Sequence, residues 1–301
     1  MDVRGSLLAL SVAAALAAPA SAISVSGNET ALDLASQIAG SGITITGATY
    51  DKGASATVQS GTFTGGSDAL PFDTGIVLTT GNVAQVTDTA GQNYTETRGD
   101  GFSPDDNIST VTGSGGTLAI LNSTDYASLE FTFTFTNPTD PSAGNVNFAF
   151  AFASEEYIDF IGTGFNDEFQ LLINGTNVGT TTGQAGGDTV NINNVNDQVN
   201  SSLYVNNVAN TNGIPNANLA FGFDGRTAQI NAFISGLDPF ASHTAQFVVA
   251  DVFDEQLDSA VFISGGTFSV DAPPTATDVP APGALGLLGV GLLAMGRLRR
   301  R

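Results

Sequence analysis

The 301-residue chain sets 29 Asp and Glu against eight Lys and Arg, a formal net charge of -21, although only 12% of its residues are charged. A body this poor in cations repels phosphate backbones and anionic lipid, which excludes nucleic-acid binding and leaves divalent cations or a neutral partner such as a glycan. The absence of cysteine removes disulfides, thiolate chemistry and cysteine zinc sites, and a hydrophobic fraction of 42% is ample for a core.

Residues 1–22 predict a secretory signal peptide. Arg4 opens it, Leu7 to Ala18 is an apolar run, and Ala20-Ser21-Ala22 forms an A-x-A cleavage site with Ile23 as the mature N-terminus. One domain is expected over 23–270. Thr30 predicts an N-cap for a short helix that buries Leu34 and Ile38 and ends at Gly40. From Gly42 onward the signals are strands and turns. Ile43-Thr44-Ile45 alternates, and Ile76-Val77-Leu78 is a short apolar run. Leu129, Phe131, Phe133 and Phe135 share one strand face, Asn137-Pro138 breaks the strand, and Val146, Phe148, Phe150 and Phe152 repeat the period. The alternate positions Asn147, Ala149 and Ala151 make a flat face suited to being covered. Phe169 to Ile173 meets Asn174-Gly175, a favoured hairpin turn, before Thr176 to Thr181. Short strands between polar loops are expected over Asn191 to Asn212. Further strands are predicted at Leu219 to Phe223, Ala228 to Ile234, Gln246 to Ala250 and Val261 to Val270. Strands at this spacing with no amphipathic helices between them predict an all-β fold: an antiparallel β-sandwich, jelly-roll-like, with one short N-terminal helix.

Residues 271–278 read as a linker containing Pro273-Pro274. The tail 279–301 has three parts in order. Val279-Pro280-Ala281-Pro282 stops any helix, Gly283 to Met295 is apolar, and Arg297, Arg299, Arg300 and Arg301 form a basic end. As a helix the apolar part would span about 20 Å, short of a hydrocarbon core of roughly 30 Å, so transient inner-membrane association is expected. This order resembles the PEP-CTERM sorting signal, with Ala281 standing where that signal usually has Glu. The resemblance implies an exosortase-type processing enzyme as partner and export to the surface or exopolysaccharide matrix of a Gram-negative bacterium.

Chemistry narrows to carboxylates. There is no Gly-x-Ser-x-Gly elbow, phosphate loop or dinucleotide fingerprint, and the one histidine, His243, is expected at the surface or in a turn. One acidic group comprises Glu155, Glu156, Asp159, Asp167 and Glu168. A second comprises Asp251, Asp254, Glu255 and Asp258, and a third gathers Asp100, Asp105, Asp106 and Asn107 in a loop. Like charges crowded at strand ends repel unless protonated, solvated or neutralised, and the body supplies only Lys52, Arg98 and Arg226. Calcium, which takes six to eight oxygen ligands, is one reading for Glu155, Glu156, Asp159, Asp167, Asp251, Asp254 and Asp258. Strand-corner acids that accept backbone N–H bonds are the other. A glycosidase pairing Glu155 or Glu156 with Asp251 needs only two suitably spaced carboxylates, but there is no tryptophan for sugar stacking.

Phe152-Ala153-Ser154-Glu155-Glu156-Tyr157 and Phe165-Asn166-Asp167-Glu168-Phe169 resemble the signature of the choice-of-anchor L domain. Ala250-Asp251-Val252-Phe253-Asp254 and Asp258-Ser259-Ala260-Val261-Phe262-Ile263 are similar to its C-terminal pattern, and Gly42-Ile43-Thr44-Ile45, Gly61-Thr62-Phe63 and Asp73-Thr74-Gly75-Ile76 to its opening. The resemblance implies an extracellular module and supplies no reaction. The sequence therefore predicts a non-enzymatic cell-surface or extracellular-matrix protein associated with exopolysaccharide or biofilm. The alternatives are a calcium-dependent adhesin or glycan-binding module, and a secreted glycosidase.

Overall fold

The computed structural model describes residues 23–52, 57–87, 108–113, 116–208, 213, 215–217, 219–252 and 257–273, with backbone alone for 108–124. The signal segment with Ala20 and Ala22, the Asp100–Asn107 loop, Asp254 and Glu255, linker residues 274–278 and the tail Val279–Arg301 lie outside the described residues.

The chain opens with β1 (Ser24–Ser26), α1 (Ala31–Ile38), β2 (Ile43–Asp51), β3 (Ser60–Thr64) and β4 (Gly75–Thr79). Next come β5 (Ile108–Gly113), β6 (Gly116–Phe135), β7 (Val146–Ser154), β8 (Glu168–Ile173), β9 (Thr176–Asn177) and β10 (Val190–Asn191). The last elements are β11 (Tyr204–Asn206), β12 (Gly225–Thr227), β13 (Ile230–Ile234), β14 (His243–Val252) and β15 (Ser259–Ser264). They form two antiparallel sheets, as the alternating pattern predicts. An eight-stranded sheet runs β1-β3-β4-β15-β7-β12-β11, with β13 also on β7. A seven-stranded sheet runs β10-β8-β14-β6-β2, with β5 on β6 and β9 on β8.

Period two decides what lies between the sheets. Val146, Phe148, Phe150 and Phe152 of β7 face Leu129, Phe131, Phe133 and Phe135 of β6, Phe247 and Val249 of β14, and Phe169 and Leu171 of β8 in one buried cluster. The rings pack closely: Phe150 against Phe169 at 4.9 Å between centroids, Phe131 against Phe247 at 5.8 Å, and Phe148 against Phe247 at 5.9 Å. Helix α1 lays Leu34, Ala35 and Ile38 on the same core. Thr30 caps it as expected: its Oγ1 accepts from Asp33 N at 3.2 Å while Asp33 Oδ2 accepts from Thr30 N at 3.0 Å. Gly40 is required just past the helix, because a Cβ there would lie 2.0 Å from the Gly266 carbonyl oxygen.

The flat alanine face of β7 is covered. Ala153, Val77, Ala260 and Phe262 on the outer side of the eight-stranded sheet pack with Ala69, Leu70, Val83, Val86, Phe221 and Phe223 from loops. Arg226 ties this cover down, its Nε donating to Ala69 O at 2.7 Å and its Nη1 to Thr227 O at 2.9 Å.

Four expectations are corrected. Leu219–Phe223 is not a strand. The Asn207 side chain accepts from Leu219 N at 2.6 Å and donates to Phe223 O at 2.9 Å, replacing a ladder partner, while both phenylalanines join the covering layer. The strand after Gly175 stops at Asn177, because Asn177 Oδ1 accepts from Leu171 N and Gly179 N and bends the chain out of register. The run from Val261 to Val270 is divided by a turn at Gly265-Gly266, with β15 ending at Ser264. His243 is buried at the start of β14: its Nε2 lies 2.8 Å from Asp238 O and its Nδ1 accepts from Asn174 Nδ2 at 2.9 Å. A hydrogen bond at each ring nitrogen, with the Phe133 ring tilted against it at 5.4 Å, offsets the cost of burial and pins the Asn174-Gly175 turn to the sheet.

Candidate functional site

The acidic signature lies where the aromatic core ends. β7 leaves the eight-stranded sheet at Ser154, and Ser154 Oγ accepts from Glu156 N at 3.0 Å, fixing the turn. Glu156 then reaches across to the second sheet, where its Oε2 lies 3.5 Å from Asp167 N, just before β8. Asp167 continues the chain of contacts, its Oδ1 accepting from Val252 N at 3.0 Å at the end of β14. Three strand ends in two sheets are thus joined through two carboxylates. Both are sealed from water, Glu156 at 1% and Asp167 at 0% exposure. A hydrogen bond typically contributes about 0.5–1.5 kcal/mol net, and leaving a buried donor such as Val252 N without its acceptor costs about 1–3 kcal/mol, so the Asp167 link is a substantial part of the corner.

A second junction forms beside it. Glu155 N donates to the Asp258 backbone carbonyl at 3.1 Å, and Thr80 Oγ1 stands 3.4 Å from Asp258 Oδ1. Thr80 also accepts from Ser259 N at 3.0 Å, so β4, β7 and β15 are tied at the same end. The Asp258 carboxylate occupies the space a Cβ at Gly81 would need, which explains the glycine after Thr80.

The structure therefore brings Glu155, Glu156, Asp167, Asp251 and Asp258 to one end of the sandwich, all of them buried. It does not bring Asp159, which is exposed in the loop after Tyr157. Glu168 points the other way, sharing the outer face of β8 with Gln170, whose Nε2 donates to it at 2.6 Å. Among the described residues, no three or more His, Asp or Glu side chains are gathered as a metal cage.

One participant was missed. Asp125 stands directly opposite Asp251 in the β14–β6 register and is itself buried. Extending the inward period of β6 back from Leu129 through Ala127 reaches Asp125, so the signal was present in the alternation. Gln59 accompanies it: Gln59 Nε2 donates to Asp125 Oδ1 at 2.7 Å and to Thr80 O at 2.5 Å. Burial raises the Tyr50 phenol above its ordinary range, and the nearby Asp125 charge adds to the effect.

Glu168 offers a test of these electrostatics. Burial raises its carboxyl pKa above the usual value, against the opposing pull of the Gln170 bond. A carboxyl whose pKa is higher folded than unfolded binds more protons in the folded state, so its contribution to stability falls as pH rises above the ordinary glutamate value. Glu168→Gln keeps an acceptor for Gln170 and removes the charge. The variant is expected to melt above the parent at pH 7, with the difference vanishing below about pH 4. Melting curves across that range check it, and a variant less stable at pH 7 would show the charge to be favourable.

Comparison with known families gives one match. The model described as the choice-of-anchor L domain covers residues 24–269, which is the whole sandwich. No curated protein and no solved structure matches the chain.

Proposed function

The chain belongs to the choice-of-anchor L domain family, which makes it an exported or surface-anchored protein, and from that premise we propose a non-enzymatic component of the extracellular matrix. In this reading the sandwich is delivered to the surface of a Gram-negative bacterium through an exosortase-type processing enzyme and works within exopolysaccharide or biofilm. The observation that carries it is the order of the tail: Val279-Pro280-Ala281-Pro282, the apolar Gly283 to Met295, then Arg297 to Arg301, a short linker after the family domain. The apolar part is too short for a lasting span, and the arginines would hold its end on the cytoplasmic side until processing. Transient inner-membrane association followed by release fits both features.

The acidic corner supports the non-enzymatic part. Glycoside hydrolysis needs two carboxylates flanking a bond of the bound sugar. Glu155, Glu156 and Asp251 are instead buried between strand ends, where a polymer does not reach them. An uncharged partner also suits a chain of net charge -21, since an acidic polymer would be repelled.

The test is fractionation of cells making the full chain or a chain truncated before Val279. The full chain is expected with the surface and matrix fraction, and the truncated chain in the medium or periplasm. Surface retention that survives truncation would remove the sorting claim.

A further inference from the structure

His243 is the one histidine of the chain, and it is buried. A chain of donors starting at the backbone locates the proton on its ring. Thr244 N donates to Asn174 Oδ1 at 3.0 Å, and a backbone N–H can only donate, so the oxygen of that amide faces it. Asn174 Nδ2 is thereby turned toward His243 Nδ1, 2.9 Å away, and an NH2 group of this kind also only donates. Nδ1 must accept and carries no proton. At the far side of the ring Nε2 lies 2.8 Å from Asp238 O, a carbonyl that only accepts, so the proton is on Nε2. The imidazole is neutral and confined to one tautomer.

This ring joins three segments: the turn after β8, the start of β14, and the 235–242 loop that crosses from one sheet to the other. Phe133 and Phe135 of β6 stand against it, with centroids at 5.4 and 5.7 Å. A proton added to Nδ1 would set N–H against the Asn174 NH2 group. The amide can answer only by withdrawing or by turning over, and turning over sets NH2 against Thr244 N. The carboxylates on the surrounding segments are not bonded to the ring. Asp238 Oδ1 accepts from Phe240 N at 3.0 Å, and Asp140 Oδ1, in the loop tied to this one by Leu237 N and Gly144 O, accepts from Ser142 N at 2.8 Å. Glu130 and Glu168 lie on the outer face of the seven-stranded sheet, and these segments contain no Lys or Arg.

We propose that His243 is an acid-sensitive latch: neutral, it holds the Asn174-Gly175 turn and the 235–242 loop onto β14, and protonation releases both. The fold takes up this proton only by breaking the chain of bonds. Protonation therefore works against the folded state, and stability falls as pH falls through the range in which imidazoles titrate. The latch sits where the chain departs toward its tail. Ile234, just before the loop, pairs with Val146, and the next residue, Asn147, pairs with Ser269. Loosening is expected at this end and not at the acidic corner, which lies at the opposite end of β14.

Measurements on the full chain test it. One histidine gives one pair of ring 15N resonances, and at pH 7.5 Nε2 is expected to be protonated and Nδ1 bare. A proton on Nδ1 at that pH would overturn the latch. Thermal melts at pH 7.5 and 5.5 then compare the parent with Asn174→Asp, which suits the same left-handed backbone, φ 48°. The aspartate keeps an oxygen for Thr244 N and turns a second acceptor toward Nδ1, so it welcomes the proton that the asparagine opposes. Between the two pH values the parent midpoint is expected to fall by roughly 2–4 °C more than the variant's, the effect of about one hydrogen bond. Carboxylates elsewhere titrate in both chains and cancel. Equal falls, or a larger fall in the variant, would overturn the proposal. If Asn174→Asp does not fold, hydrogen exchange at Thr244 N–H of the parent decides. Protection lost at pH 5.5 supports the latch, and protection unchanged from pH 7.5 counts against it.

Discussion

Phe247→Ala is expected to destabilise the domain by about 3–5 kcal/mol, lowering the melting midpoint by on the order of 10 °C. Phe247 sits at the centre of β14, and its ring meets Phe131 at 5.8 Å and Phe148 at 5.9 Å, with Phe268 at 6.4 Å and Phe169 at 6.5 Å. These rings come from both sheets and from the chain after β15, so removing one phenyl group opens a void that no single neighbour can fill. Phe63 makes an instructive control. It is as deeply buried, yet it belongs to the covering layer on the outer side of the eight-stranded sheet, where loops can close in. Phe63→Ala is therefore expected to cost less than Phe247→Ala when the melting midpoints of both variants are measured under one set of conditions. Equal losses would show that the covering loops are packed as firmly as the inter-sheet core.

The layer of rings was legible in the sequence because period two survives any detail of topology. Leu129 to Phe135 and Val146 to Phe152 each put one face into the core whichever strands they pair with. The Thr30 cap and the Asn174-Gly175 turn were equally local and equally readable. What the sequence did not disclose depends on partners far along the chain. Leu219, Phe221 and Phe223 alternate like a strand, but Asn207 takes up backbone groups of Leu219 and Phe223 and keeps the segment in a loop. His243 resembles a turn residue until Asn174 and Asp238 supply a partner for each ring nitrogen. The acidic corner was half legible. Crowding identified Glu156, Asp167 and Asp251, whereas Asp125, isolated among polar residues, is placed only by its register opposite Asp251.

That register distinguishes two roles which the acids of the corner can play, and Asp167 separates them. Its Oδ1 accepts from Val252 N, and Val252 is buried, so Asp167→Ala leaves that donor without its acceptor. A loss of about 1.5–3 kcal/mol is expected, with fraying at the ends of β8 and β14 first. Asp167→Asn retains an oxygen at the same reach and removes only the charge. If the residue works as a strand-corner acceptor, the asparagine variant should melt close to the parent while the alanine variant falls, each in the presence of EDTA. If the charge itself is what the corner uses, the two variants fall together.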